Sequence, residues 1–386
     1  MSPVSRAASP VDASGDAVLC GREGRAATLV LNRPRALNAL NHEMVRALDA
    51  ALTAGERDPA VETVVLTGAG ERGLCAGGDI RSIYEDARSG DSRGSEGAGA
   101  SASGGTPGSA SAAFWRDEYR LNSRIARYPK PYVALMDGIV MGGGVGVSAH
   151  GSVRIVSERS RIAMPETGIG FVPDVGGTYL LALAPGELGT HVALAGVQLG
   201  ARDALLCGLA DHFVPQADLP RLRQDLALRP VRNVLTSFVR QAPPGELAEH
   251  QHWIDACYSA DTVEEIVSRL RAHGSRAAAE AADTLATKSP TALKVTLTAL
   301  RGARELGPLE RVLEQEYRVS CAALTSYDLV EGIRAQVIDK DRRPRWRPAS
   351  LSEVTQADVA RYFAPPPGGD LSLSSSSDSA SQEVPW

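Results

Sequence analysis

The chain has 386 residues, long for one hydrophobic core, so a single large domain with additions or two domains are expected. Its net charge of −5, with arginines spread along the chain, argues against nucleic acid or an anionic membrane as the main partner. No apolar run approaches a membrane span and no Cys-x-x-Cys pair occurs among Cys20, Cys75, Cys207, Cys257 and Cys321, so a cytoplasmic protein with reduced, packed thiols is expected.

Residues 1–16 are rich in Ser, Ala and Pro, lack an apolar signal-peptide core, and form a lead expected to be disordered. A strand is predicted over 27–31, stopping at Asn32-Arg33-Pro34. Asn41 can cap a helix whose apolar residues Met44, Val45, Leu48, Ala51 and Leu52 follow the helical period, with Gly55 placed to end it. The β-branched run 61–67 reads as a buried strand. Strand, helix, strand in this order implies a right-handed crossover and a parallel sheet, hence an α/β fold.

A helix is predicted from Ile80, after Cys75-Ala76-Gly77-Gly78-Asp79. Residues 88–112 collapse to Gly, Ser and Ala, with too little apolar surface to offset ordering entropy, so a mobile insertion is expected there. Helical spacing resumes over 114–126. Next comes the apolar run Tyr132–Met136, read as a strand, then Asp137-Gly138 and the triplet Gly142-Gly143-Gly144. Met164-Pro165-Glu166 and Pro173-Asp174-Val175-Gly176-Gly177 follow. Short helices are predicted at 188–194 and 201–207, and only helices beyond 219. The switch near 215 is the expected boundary between an α/β core (17–215) and a helical C-terminal region (216–364). Residues 365–386 read as a disordered tail.

Gly142-Gly143-Gly144 follows a strand and can open a helix, which suits an oxyanion site or merely a tight turn. Ala76-Gly77-Gly78-Asp79 is a second such turn. Two of them on a parallel sheet can aim two N–H groups at one carbonyl oxygen, each worth roughly 2.7–4 kcal/mol in a transition state. Gly144-Val145-Gly146-Val147-Ser148-Ala149, with Glu166 downstream, also satisfies a dinucleotide fingerprint, although such a fingerprint normally opens its fold. Glu166 and Asp174 sit among glycine and apolar residues, as expected of carboxylates in a partly desolvated pocket that serve as base or nucleophile. Helix capping remains the alternative, notably for Asp174. Cys75 could line a pocket but is expected to pack. His250 and His252 share no helical face, His150 lacks a Gly-x-Ser-x-Gly elbow, and no P-loop or zinc spacing occurs, so no metal is expected.

With these pieces the chain resembles the crotonase (enoyl-CoA hydratase/isomerase) superfamily, and within it the 3-hydroxyisobutyryl-CoA hydrolases. The general likeness rests on Leu31-Asn32-Arg33-Pro34 with Leu37-Asn38-Ala39-Leu40, on Cys75 to Ile80, and on Asp137-Gly138 with the triplet. The hydrolase branch is marked by Met164 to Gly170, Pro173 to Gly177, Ser289 to Lys294, Glu331 to Ala335, and Ile338 to Asp341 leading to Trp346. The resemblance implies a spiral of ββα turns followed by an all-helical C-terminal region. It implies oxyanion donors at Gly78 and Gly143, a reactive Glu166, a substrate-facing Asp174 and an acidic substrate contact at Glu118. Hydratases carry a second glutamate where this chain has Gly146, and glycine where it has Asp174. The implied activity is acyl-CoA thioester hydrolysis, with 3-hydroxyisobutyryl-CoA of valine catabolism as substrate; hydration or isomerisation of an enoyl-CoA is the alternative. No cofactor is implied beyond the coenzyme A of the substrate. The superfamily is often trimeric, so a homo-oligomer is one expectation and a helical extension covering that interface is the other.

Overall fold

The computed structural model describes residues 16–94 and 109–373. The expected lead through residue 15, the centre of the Gly/Ser insertion and the end of the tail lie outside them. Six strands form one sheet in the order β1 (Val18–Glu23), β2 (Ala26–Leu31), β3 (Thr63–Gly68), β5 (Tyr132–Met136), β7 (Val153–Val156) and β9 (His212–Phe213). The β1–β2 hairpin is antiparallel and the other pairings are parallel. β1 escapes sequence reading because it is an edge strand with only Val18 buried, so it lacks the apolar alternation of its neighbours.

Three short strands, β4 (Gly73–Cys75), β6 (Ile139–Met141) and β8 (Arg161–Ala163), form a second, parallel sheet. Each follows a long strand in the chain, β3 into β4, β5 into β6 and β7 into β8, which makes successive ββ turns of a spiral. The corner between β5 and β6 requires glycine: Gly138 has φ +66°, and a Cβ there would lie 2.6 Å from the Arg72 carbonyl oxygen.

Helix α1 (His42–Arg57) starts where predicted, with the Asn41 side chain accepting from the Met44 N–H at 2.9 Å. Gly55 does not end it. That glycine lies inside the helix, where a Cβ would sit 3.0 Å from the Tyr128 hydroxyl, so its role is close packing. Residues 88–94 and 110–112, expected within a mobile insertion, are helical. α2 runs Ile80–Gly94, and α3 (Ala110–Ala126) begins at a Ser109 cap. The Ser111 N–H donates to Asp86 at 2.8 Å, tying the two helices together in a way local composition does not reveal.

α4 (Gly143–Gly146), α5 (Gly177–Ala182), α6 (Leu188–Ala195) and α7 (Ala201–Leu206) complete the first half. Helices then follow with no further strand among the described residues: α8 (Leu219–Leu226), α9 (Val231–Phe238), α10 (Leu247–Tyr258), α11 (Val263–Ala272), α12 (Arg276–Ala286), α13 (Pro290–Leu306), α14 (Leu309–Ala323), α15 (Tyr327–Ile333) and α16 (Gln356–Arg361). A π-turn, Arg334–Ile338, continues α15. One apolar cluster reaches from Val18 to Leu371, so the change of element type near 215 does not divide the core.

Residues 369–373 are tied to the body of the protein, contrary to the disordered tail expected from their composition. Leu371 is fully buried, and Asp370 takes two 2.8 Å bonds from Arg318. Leu371→Ala is expected to cost about 2–5 kcal/mol of unfolding free energy, measured by denaturant titration; a tail of no structural weight predicts no change.

Candidate active site

The parallel sheet β4–β6–β8 delivers three groups from its carboxyl ends, where ligands of parallel sheets gather. β4 leads to Gly78, β6 to Gly143 and β8 to Glu166. All three line one cavity of about 350 Å³, together with Glu118 and Asp174. Every residue carried to the site by sequence therefore meets in one place.

The direction of the Gly78 N–H follows from its neighbours' bonds. The segment Leu37–Leu40 bridges to the glycine turn: Ala76 donates to the Leu37 carbonyl (3.0 Å), Leu40 to that of Gly77 (2.8 Å) and Asp79 to that of Leu40 (2.8 Å). With the flanking groups occupied, the N–H of Gly78 faces the other way and meets no acceptor among the described residues. Leu37 and Asn38 adopt left-handed φ values of 53° and 56° to make this loop, and Asn38 Nδ2 donates to the Ala69 and Gly73 carbonyls. Arg33 fixes the far end by bonding Asp79 at 2.9 Å. Gly143 opens α4, so its N–H also lacks an intrahelical partner. A Cβ at Gly143 would sit 3.3 Å from the Gly78 nitrogen and 2.7 Å from Glu118 Oε1. A side chain at that position would fill the gap between the two donors.

Three carboxyl groups face the cavity with little water to solvate them: Glu118 is 2 % exposed and Glu166 and Asp174 are each 6 %. Burial raises all three pKa values, and the charge of Asp174 raises those of Glu118 and Glu166 further. Glu118 Oε1 and Glu166 Oε2 have no hydrogen-bond partner among the described residues. Asp174 differs: its Oδ2 accepts from the Tyr119 hydroxyl at 2.7 Å, which in turn lies 2.7 Å from Ser320 Oγ. The Asp174 side chain is not a helix cap, since α5 is capped by Gly176 without a side-chain bond.

The loop carrying Asp174 is strained and tied down. Val175 has φ +55°, rare for a β-branched residue, and its carbonyl accepts from His150 Nε2 at 2.7 Å. Burial holds His150 near a pKa of about 4, so it stays neutral and donates from Nε2. Glu316, completely buried on α14, accepts from the N–H groups of Gly176 (2.6 Å) and Thr178 (2.9 Å) and from the Thr178 hydroxyl (2.5 Å). Burial pushes its carboxyl up to about 8 against those donors. Tyr119, Ser320 and Glu316 were not singled out in the sequence, where they read as ordinary helix residues, and His150 was weighed there only as a partner for a serine nucleophile.

Other sequence readings end here. Gly144 and Gly146 are packing glycines, not a phosphate cradle: a Cβ at Gly144 would lie 2.5 Å from the Cys75 carbonyl oxygen. The dinucleotide reading is thereby removed. Cys75 does not line the cavity; it is buried and its thiol is pushed up to about 12 by burial. No group of three His, Cys, Asp or Glu side chains that could hold a metal occurs among the described residues.

A family model described as enoyl-CoA hydratase/isomerase matches residues 26–363. The chain belongs to this family. Similar relatives include the proteins named 3-hydroxyisobutyryl-CoA hydrolase, mitochondrial, of Xenopus tropicalis (42 % identical, covering 92 % of this chain and 90 % of the relative) and Homo sapiens (39 %, 93 % and 91 %). Among solved structures, one described as a carnitinyl-CoA dehydratase from Mycobacterium thermoresistibile is 51 % identical with a TM-score of 0.85, covering 92 % of this chain and 98 % of that one. Another, described as an enoyl-CoA hydratase from Rhodobacter sphaeroides 2.4.1, is 42 % identical with a TM-score of 0.81, covering 93 % and 100 %. The chain is a crotonase-fold protein of the 3-hydroxyisobutyryl-CoA hydrolase branch.

Within that fold the position of the second hydratase acid is closed. A Cβ at Gly146 would meet Val175 Cβ at 2.6 Å and Asn122 Nδ2 at 2.9 Å, so glutamate cannot be accommodated without moving the Asp174 loop. Asn122 fills that space, fully buried with neither amide atom hydrogen-bonded.

Because the folded-state pKa of Asp174 is raised, its neutral form is tolerated at low pH and the cost of its charge appears as pH rises through the folded value. Asp174→Asn keeps an acceptor for Tyr119 and removes that charge. We expect it to raise the thermal midpoint by more at pH 8 than at pH 5; an equal or opposite shift would show that the carboxylate is stabilised in place.

Proposed function

We propose that this protein hydrolyses the thioester of a short 3-hydroxyacyl-CoA, specifically 3-hydroxyisobutyryl-CoA in valine catabolism. The observation that carries the reading is the acid pattern around two unpartnered N–H groups: Glu166 and Asp174 present, and no room for an acid at 146. The names of the similar hydrolases support the substrate.

The thioester carbonyl oxygen sits between the Gly78 and Gly143 N–H groups, which stabilise negative charge as it develops. The Glu166 carboxylate attacks the carbonyl carbon, the carbon–sulfur bond breaks, and coenzyme A leaves as thiolate; water then cleaves the mixed anhydride. In the other route Glu166 takes a proton from a water that attacks directly. Both routes consume one water and release one acid and one thiol. Asp174, held by Tyr119, accepts the substrate's 3-hydroxyl hydrogen or passes a proton to the leaving group. Glu118 contacts the acyl group beside Gly143. The reaction needs no metal or cofactor.

The second reading, hydration or isomerisation of an enoyl-CoA, is favoured by the descriptions of the two solved relatives. Hydration in this superfamily uses two glutamates, and the closed space at Gly146 stands against it; isomerisation needs one carboxylate and is separated by the absence of thiol release. No helix among the described residues is long and apolar enough to cross a membrane. Our reading places the reaction in the cytoplasm, whereas the relatives' names place theirs in the mitochondrion; cell fractionation distinguishes the two.

Glu166→Gln is expected to lower thiol release about 10²–10⁴-fold, with acyl-CoA binding retained by calorimetry. Turnover within threefold of the parent would remove Glu166 from the chemistry. In the parent enzyme the raised Glu166 pKa predicts that kcat/KM rises with pH, with a midpoint above the ordinary carboxylate range.

A further inference from the structure

Behind the cavity wall lies a buried amide, that of Asn122. The residue is fully buried, and neither its Oδ1 nor its Nδ2 has a hydrogen-bond partner among the described residues. An amide offers two donor hydrogens and an acceptor oxygen, and leaving them unpaired away from water is costly. Among the described residues, four of the seven buried side-chain atoms without a partner gather here: both of Asn122, Glu118 Oε1 and Glu166 Oε2. That concentration marks a place where a polar molecule binds.

Two helices set the position of these atoms. Glu118 and Asn122 are one turn apart on α3, and Gly143 and Gly146 are one turn apart on α4. Glu118 Oε1 lies 2.7 Å from the point where a Cβ on Gly143 would begin, and Asn122 Nδ2 lies 2.9 Å from that point on Gly146. The two glycines thus let both polar side chains come up to α4 in succession. The Gly143 point is also 3.3 Å from the Gly78 nitrogen, so Glu118 Oε1 borders the oxyanion site. Glu166 Oε1 lies 2.8 Å from the corresponding point on Gly142, the preceding residue. Both carboxyl groups therefore reach the turn that holds the thioester carbonyl. Glu118 and Val175 line the cavity, and Asn122 stands next to them on its far side.

Size and chemistry identify the ligand. Cβ atoms four residues apart on a helix are about 6 Å from each other, a gap that two hydrogen bonds of about 2.8 Å span through one oxygen atom. The tight packing at Gly146, where a Cβ would lie 2.6 Å from Val175 Cβ, argues for a ligand of one heavy atom. Water both donates and accepts, which suits an amide and a carboxyl group together. We propose that Asn122, with Glu118 as second partner, holds the water that hydrolysis consumes. This inference rests on the hydrolase reading above. The water oxygen bonds to the acyl carbon, and the bond from that carbon to sulfur, or to Glu166 in the anhydride route, breaks. One water hydrogen ends on the thiolate and the other leaves with the acid. A carboxyl group has acceptor sites for both this water and the acyl group.

The test separates attack by water from attack by a nucleophile supplied from solution. Thiol release from 3-hydroxyisobutyryl-CoA is followed with and without hydroxylamine, and the product is identified as acid or hydroxamate. Asn122→Leu keeps the side-chain volume and removes the amide, whereas Asn122→Ser loses volume and keeps a donor and an acceptor. Asn122→Leu is expected to lower kcat for acid formation about 10–100-fold, the scale of a misplaced reactant, with KM within about threefold. Its hydroxamate formation should stay within about threefold of the parent, and Asn122→Ser should recover most of the lost acid formation. A packing role predicts the reverse order, Leu above Ser, and that order would overturn the proposal. So would acid and hydroxamate falling together, or acid formation by Asn122→Leu within about threefold of the parent. Where thermal midpoints show Asn122→Leu unfolded, Asn122→Val takes its place under the same criteria. A parent that forms no acid removes the hydrolase reading and this inference with it. A parent that forms acid no faster than Asn122→Leu removes this inference alone.

Discussion

The parallel pairing of β4, β6 and β8 brings their carboxyl ends to one level, and each end carries one group of the site. Parallel strands need crossover connections, and here those connections supply the remaining walls. The β4–β6 crossover contains α3, which brings Glu118 against Gly143 and the Tyr119 hydroxyl to Asp174. The segment after β8 supplies Glu166 and then the loop to Asp174. A shift of register among these three strands would separate the two N–H donors from each other and from Glu166.

Placing several carboxyl groups in one dry cavity works against folding, and the surrounding structure absorbs that cost locally. Asp174 receives the Tyr119 hydroxyl, and the strained Val175 is held between His150 and the Glu316-bound residues that follow it. Glu118 and Glu166 keep unpartnered oxygens, which leaves them free to contact substrate. The C-terminal helices therefore do more than cover the sheet. α14 supplies Glu316 and Ser320, and α15 with its π-turn lines the cavity through Leu329, Ile333 and Gln336.

What could be read in the sequence was what local backbone demands. The two glycine turns stood out as places where backbone N–H groups can approach a ligand, Gly78 and Gly143 within them were assigned through family likeness, and Glu166 and Asp174 stood out because they lacked charged neighbours. Glu118 was reached only through family likeness. Tyr119 looks like any apolar-face aromatic, and Glu316 like one of the many charged residues of α14; their meaning comes from partners 55 and 138 residues away. The same limit explains the tail and the insertion. Composition describes how a segment behaves alone, whereas Leu371 and Ser111 are ordered by contacts made elsewhere.

The central claim is that closing position 146 and adding an acid at 174 turns this fold from hydration to hydrolysis. The most direct measurement follows products of the purified parent protein with 3-hydroxyisobutyryl-CoA and with the matching enoyl-CoA, recording free thiol and enoyl absorbance together. The account predicts stoichiometric thiol from the hydroxyacyl ester and no loss of the enoyl band. Hydration of the enoyl ester without thiol release would contradict it.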